Sequence, residues 1–84
     1  MNLHENFTQA VDEVHDLNTR PSNENLLKLY GLYKQATEGD VLGDRPGGFD
    51  FKAIAKYDSW ASLKGKTKEE AMQDYIDLVA SLAE

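Results

Sequence analysis

Asn23-Glu24-Asn25-Leu26-Leu27-Lys28-Leu29-Tyr30-Gly31-Leu32-Tyr33-Lys34-Gln35-Ala36-Thr37 is the stretch on which the fold turns. Leu26, Leu29, Tyr30 and Tyr33 recur at three- and four-residue steps, and Leu27 flanks them. That rhythm predicts one apolar stripe along a helix. Pro21-Ser22 ahead of it supplies a helix start, with Ser22 as N-cap. Gly39 beyond it supplies a left-handed exit.

The same rhythm extends outward. Toward the N-terminus, Leu3, Phe7, Ala10, Val11, Val14 and Leu17 predict a helix of about four turns, broken by Asn18 to Pro21. Toward the C-terminus, Asp50 is a candidate N-cap for a third helix. That helix carries Phe51, Ile54, Ala55 and Asp58 on one face, continues through Tyr57, Trp60 and Lys64, and stops at Gly65. Thr67-Lys68-Glu69-Glu70 is a capping-box pattern. Ala71, Met72, Tyr75, Ile76, Val79 and Leu82 then form the buried stripe of a fourth helix. There is no strand pattern, internal repeat or low-complexity tract. The expected fold class is all-α, a four-helix bundle. Gly39 to Asp50 holds Gly43, Gly47 and Gly48 around Arg45-Pro46. A turn-rich segment of that length is either a functional loop or a connector that must cross the bundle.

Bulk properties bound the rest. The 84 residues suit a single domain, 1–84, and the end at Glu84 suits a complete one. So short a chain buries a smaller share of its surface than a longer one. With no cysteine, disulfides and thiolate metal sites cannot help it. Stability must come from packing, with bound ligand adding to it by mass action. Cysteine absence also fits a reducing compartment. Met1 to Phe7 lacks a basic targeting region, and no apolar run approaches the roughly 20 residues of a membrane span. A cytoplasmic protein without stable membrane insertion, and a monomer, is expected. Net charge is −6 and the pI is near 4.8. That balance argues against nucleic acid as a partner and against electrostatic docking on anionic membranes. Every formally charged side chain from Met1 to Thr19 is acidic, whereas all nine basic residues lie from Arg20 to Lys68. Those lysines can cluster locally or simply solvate helix faces.

Enzyme chemistry finds no carrier, and no metal or cofactor is expected. A nucleophilic cysteine is missing, and His4 and His15 do not stand at the i, i+4 spacing of a helical metal pair. Asp12/Asp16 and Asp74/Asp77 sit on solvated helix faces, without the burial that acid–base work requires. Arg45-Pro46-Gly47-Gly48 lacks the Gly-Lys-Ser/Thr ending of a nucleotide-binding loop. The second helix is more informative. Tyr30, Tyr33 and Lys34 occupy i, i+3 and i+4, which aims two phenols and an ammonium at one patch. A phenol offers a flat apolar face with a polar tip, and an ammonium offers charge to phosphate. The set suits a nucleotide. It equally suits two core tyrosines with a lysine reaching past them to water. Lys52 and Lys56 form a second basic pair, and Tyr75 adds a further phenol.

Leu29 to Asp40 (Leu-Tyr-Gly-Leu-Tyr-Lys-Gln-Ala-Thr-Glu-Gly-Asp) resembles the signature of acyl-CoA-binding proteins. So do Arg45-Pro46-Gly47, Ala55-Lys56-Tyr57-Asp58-Ser59-Trp60, Leu63-Lys64-Gly65, Lys68-Glu69-Glu70-Ala71-Met72 and Tyr75-Ile76. The likeness runs from Phe7 to Leu82, in order and without gaps. It implies a bundle of up-down-down-up topology, whose long crossover is the Gly39–Asp50 segment. It implies noncovalent binding of medium- to long-chain fatty acyl-CoA esters, buffered and carried without chemistry. By the same resemblance the ligand site comprises Tyr30, Gly31, Leu32, Tyr33, Lys34, Lys52, Lys56 and Tyr75, with His15 beside them. Tyr30, Lys34 and Lys56 would contact the 3′-phosphate of the ligand's ribose, and Tyr33 would stack on adenine. Tyr75 would line the same site, and Lys52 would sit near the head group. Family members often carry lysine where this chain has His15, and a neutral imidazole cannot supply that charge. Tyr57 stands where many members have tryptophan. The acyl groove would be lined by some of Val11, Leu27, Leu29 and Val41. A helical protein-interaction module that binds a peptide is the alternative, and an acyl-CoA-dependent enzyme is a more distant one.

Overall fold

A computed structural model describes residues 1–84, and it contains four helices and no strand. They are α1 (Leu3–Val14), α2 (Asn23–Glu38), α3 (Phe51–Ala61) and α4 (Lys68–Leu82). Each begins on a side chain that accepts from an otherwise unpartnered backbone N–H. Asn2 accepts from Glu5, Ser22 from Asn25, Asp50 from Ala53 and Thr67 from Glu70. At α4 the exchange is reciprocal, because Glu70 Oε1 also accepts from the Thr67 N–H at 3.0 Å.

Chain directions follow from which residues meet. Phe7 lies against Tyr75, with ring centroids 5.2 Å apart, and Leu17 lies beside Leu82, so α1 and α4 run the same way. Gln35, near the end of α2, donates to the Lys66 carbonyl just ahead of α4 at 2.7 Å, so those two helices run oppositely. Lys52 borders a cavity with Asn23 and Leu26, Lys56 stands over Tyr30, and Trp60 lies beside Lys34 and Gly39. Helices α2 and α3 are therefore parallel, which a short turn cannot achieve. The Gly39–Asp50 segment is the crossover, and the topology is up-down-down-up.

The core lies where α4 packs between α1 and α2: Phe7, Ala10, Leu29, Leu32, Ala36, Ala71, Met72, Tyr75 and Val79 are buried. The stripe expected on α4 is the one that faces inward. Helix α3 touches only α2 among the helices and has no buried residue. Polar contacts fix it instead. Ser59 Oγ donates to the Leu27 carbonyl at 2.6 Å, and Trp60 Nε1 donates to the Gly39 carbonyl at 2.8 Å. Gly31 lets the backbones approach, since a Cβ there would lie 2.7 Å from Ser59 Oγ and 2.8 Å from the Ser59 carbonyl oxygen.

Four sequence expectations need correction. Phe51 is 71% exposed and does not join an apolar face. Asp58, placed on that face by spacing, instead takes a bidentate pair from Arg45 at 2.8 and 3.0 Å, tying the crossover to α3. Helix α1 ends at Val14, three residues before Leu17, as the N–H groups of His15 and Asp16 close onto the carbonyls three residues back. Asp12, Glu13 and Asp16 crowd that end, where the helix dipole disfavours negative charge. Helix α3 likewise stops at Ala61 and tightens into turns before Gly65, whose φ is 94°.

Candidate functional site

The expected Tyr30–Tyr33–Lys34 patch is divided between two neighbours. At about 100° per residue, positions 30 and 34 lie on one side of α2, and position 33 leans away from 34 by a quarter turn. Tyr30 and Lys34 face α3: Lys56 Nζ stands 5.4 Å from the Tyr30 ring centroid, and Lys34 Nζ stands 4.9 Å from that of Trp60. These are cation–π distances, worth about 0.5–1 kcal/mol each where exposed. Tyr33 leans toward α1 and α4, where its ring stacks near Phe7 at 6.0 Å and lies 6.5 Å from Tyr75. Tyr33 keeps 41% exposure, enough to offer a ring to a ligand, whereas Tyr75 is buried beneath it. Burial and the neighbouring Tyr33 hydroxyl together push the Tyr75 phenol above its ordinary pKa, so it stays neutral.

Lys34 also pairs with Glu38 one turn on. That hydrogen bond, aided by the nearby Tyr30 and Tyr33 hydroxyls, holds the ammonium above its ordinary pKa against a smaller opposing cost of burial. Trp60 is fixed under Lys34 by its own bond to Gly39.

An open cavity of about 450 Å³ adjoins this cluster between α2 and α3. Leu26, Leu27 and Ala55 form its apolar wall, and Arg20, Asn23, Tyr30, Lys52 and Lys56 border it. A cavity with an apolar wall and cations at its edge can take an amphiphile whose charged end faces the lysines. Leu27 thus stands where the sequence put an apolar groove. Leu29 belongs to the core, Val11 packs against it, and Val41 is half-buried in the crossover.

The remaining candidates lie elsewhere. Gly31 is closed in by Ser59, and Leu32 is a core residue. His15 is exposed at the end of α1, with no hydrogen bond or ion pair joining its ring to the cluster. Tyr57, which stands where many family members have tryptophan, donates its hydroxyl to the Gly43 carbonyl at 3.0 Å. Sequence reasoning missed Arg20, Phe7 and the partnership of Lys34 with Trp60. Trp60 stands at i+4 from Lys56, so spacing could have drawn it in. Phe7 and Arg20 come from other parts of the chain, and no local signal marks them.

Comparison with known proteins bears on the family and the fold. The family model described as acyl-CoA-binding protein matches residues 4–79. The acyl-CoA-binding protein of Brassica napus is 51% identical over all of this chain and 91% of its own length. The crystal structure of Oryza sativa acyl-CoA-binding protein 2 superposes with a TM-score of 0.91 at 48% identity, covering 96% of this chain and 90% of that one. The Moniliophthora perniciosa protein superposes at 0.89 with 37% identity, covering 98% of this chain and 80% of the other. With sequence, fold and chain direction in agreement, this chain belongs to the acyl-CoA-binding protein family.

Proposed function

We propose that this chain, as a single domain over 1–84, binds medium- to long-chain fatty acyl-CoA esters and buffers and transports them in the cytoplasm. It acts as a monomer and does no chemistry on the thioester. The observation that carries the reading is a cavity walled by Leu26, Leu27 and Ala55 and bordered by Tyr30, Lys52 and Lys56, with Lys34 one turn beyond Tyr30 on the same side of α2. Lys34, Lys56 and the Tyr30 hydroxyl hold the ribose 3′-phosphate, and the exposed face of Tyr33 stacks on adenine. Tyr75 supports Tyr33 from below, Lys52 attends the head group, and Leu26, Leu27 and Ala55 receive the acyl chain. Gly31 and Leu32 serve the site by setting how closely α2 meets its neighbours. His15 stands apart from the cluster, exposed at the end of α1. No helix is long and apolar enough to cross a membrane.

The energetics divide the labour. Each buried methylene contributes about 0.8 kcal/mol, so a chain burying on the order of ten gains about 8 kcal/mol gross. Each well-made charge-assisted hydrogen bond contributes roughly 1.5–3 kcal/mol. The acyl chain therefore sets most of the affinity, and the lysines set the preference for a phosphorylated head. Calorimetric titration with palmitoyl-CoA, free CoA and free palmitate tests this. Palmitoyl-CoA should bind far more tightly than either half. Equal binding of free palmitate would overturn the reading, and no binding of any of the three would favour the peptide-binding alternative.

A further inference from the structure

Of the three candidate head-group lysines, Lys34 alone already holds a carboxylate. Its partner Glu38 is the last residue of α2. Helix stability does not account for a carboxylate there. The C-terminal turn carries the negative end of the helix dipole, which disfavours an acidic side chain. Lysine preceding glutamate is also the weaker order for an i, i+4 pair. Glu38 is half-exposed, with its side chain at 52%, while that of Lys34 is at 24%. The ammonium thus has two partners, the more exposed Glu38 carboxylate and the Trp60 ring, whose centroid lies 4.9 Å away.

We propose that Glu38 is a specificity-determining residue, a built-in counter-ion that the ligand's phosphate must displace from Lys34. The inference rests on the head-group reading given above. A phosphate approaching Lys34 meets an ammonium that is already neutralised, and then a carboxylate beside its own charge. The exchange is feasible because an exposed ion pair is weak. Glu38 therefore lowers affinity for phosphorylated heads and keeps Lys34 from holding adventitious anions when the site is empty. The ring of Trp60 keeps the ammonium in place throughout, so the phosphate finds a positioned cation once the carboxylate swings away.

Calorimetric titration of Glu38→Gln with palmitoyl-CoA and with its 3′-dephospho analogue, in low and in high salt, tests the proposal. The glutamine keeps the shape and removes the charge. Affinity for palmitoyl-CoA should rise about two- to fivefold in low salt, the range set by exposed ion pairs. The gain should shrink in high salt, be smaller for the dephospho analogue, and vanish in a Lys34→Ala background. An affinity unchanged or weakened in Glu38→Gln, or a gain that persists without Lys34, overturns the proposal. Failure of the unmodified protein to bind palmitoyl-CoA would instead overturn the head-group reading itself.

Discussion

The two sides of α2 are held by different physics. On one side, α1 and α4 enclose Phe7, Ala10, Leu29, Leu32, Ala36, Met72 and Val79, all less than a tenth exposed. On the other, α3 buries no residue completely and is pinned by side chains reaching backbone carbonyls: Ser59 to Leu27, Trp60 to Gly39 and Tyr57 to Gly43. Apolar burial is nondirectional and rewards closure, so the first side is filled. Hydrogen bonds are directional and hold two elements in register without filling the space between them. The second side can therefore stay open, with Leu26, Leu27 and Ala55 lining a cavity and Lys52 and Lys56 at its rim. A small bundle can keep a ligand site because one face carries its stability and another is kept in register by polar contacts.

That contrast breaks most severely in the core. Met72→Ala should cost about 2–5 kcal/mol in urea unfolding, the range for emptying a packed site. Lys34→Ala should do the reverse, leaving unfolding nearly unchanged while weakening palmitoyl-CoA binding roughly 10- to 100-fold, as one lost charge-assisted bond implies. Gly31→Ala probes the seam between the two sides. Alanine is the better helix former by about 1 kcal/mol. Its Cβ would nonetheless meet the Ser59 backbone carbonyl at 2.8 Å, which the chain can relieve only by moving α3. We expect a net loss of about 1–3 kcal/mol together with weaker ligand binding. A stabilised variant with normal binding would show that α3 is not fixed by this contact.

Acid sharpens the comparison further. Arg45 holds the Asp58 carboxyl below its ordinary value of 3.8 through their hydrogen bond. The Gly65 N–H, then Gln35, do the same for Asp40. The Thr67 backbone and hydroxyl depress Glu70 below 4.5. A depressed carboxyl contributes stability that is complete above its unfolded value and lost as pH falls through its folded value. Stability should therefore fall on acidification below about pH 4, and Asp58→Asn should flatten that limb in acid-induced unfolding followed by circular dichroism. The smallest effect belongs to Phe49 and Phe51, 89% and 71% exposed and packed edge to face at 6.2 Å. Replacing both with serine should change unfolding by no more than about 0.5 kcal/mol, as surface substitutions do.

The same division separates what could be read in the sequence from what could not. The core side is written in local period: α4's stripe from Ala71 to Val79 faces inward as its spacing implies, and Ser22, Asp50 and Thr67 cap where short polar side chains precede apolar rhythm. The α3 side is written in long-range polar contacts. Arg45 and Asp58 are thirteen residues apart, and Ser59 and Leu27 thirty-two, so no periodicity links them. An edge helix packed on one neighbour leaves much of its apolar surface in solvent, which is why Phe51 misled and Asp58 was misplaced. Of the candidate site, Tyr30, Lys34 and Lys56 were legible as types at helical spacing. That Tyr33 would turn toward Phe7 and Tyr75 while Lys34 turned toward Trp60 depends on where α1 and α3 lie.

Amide chemical-shift mapping during titration with palmitoyl-CoA tests the central claim most directly, because it reports which side of α2 the ligand occupies. The account predicts the largest shifts at Leu26, Leu27, Tyr30, Tyr33, Lys34, Lys52, Ala55 and Lys56, with little change at Gln9, Glu13 and Ala80, which border a cavity between α1 and α4. Shifts concentrated at Gln9, Glu13 and Ala80, with Lys52 to Lys56 unmoved, would contradict it.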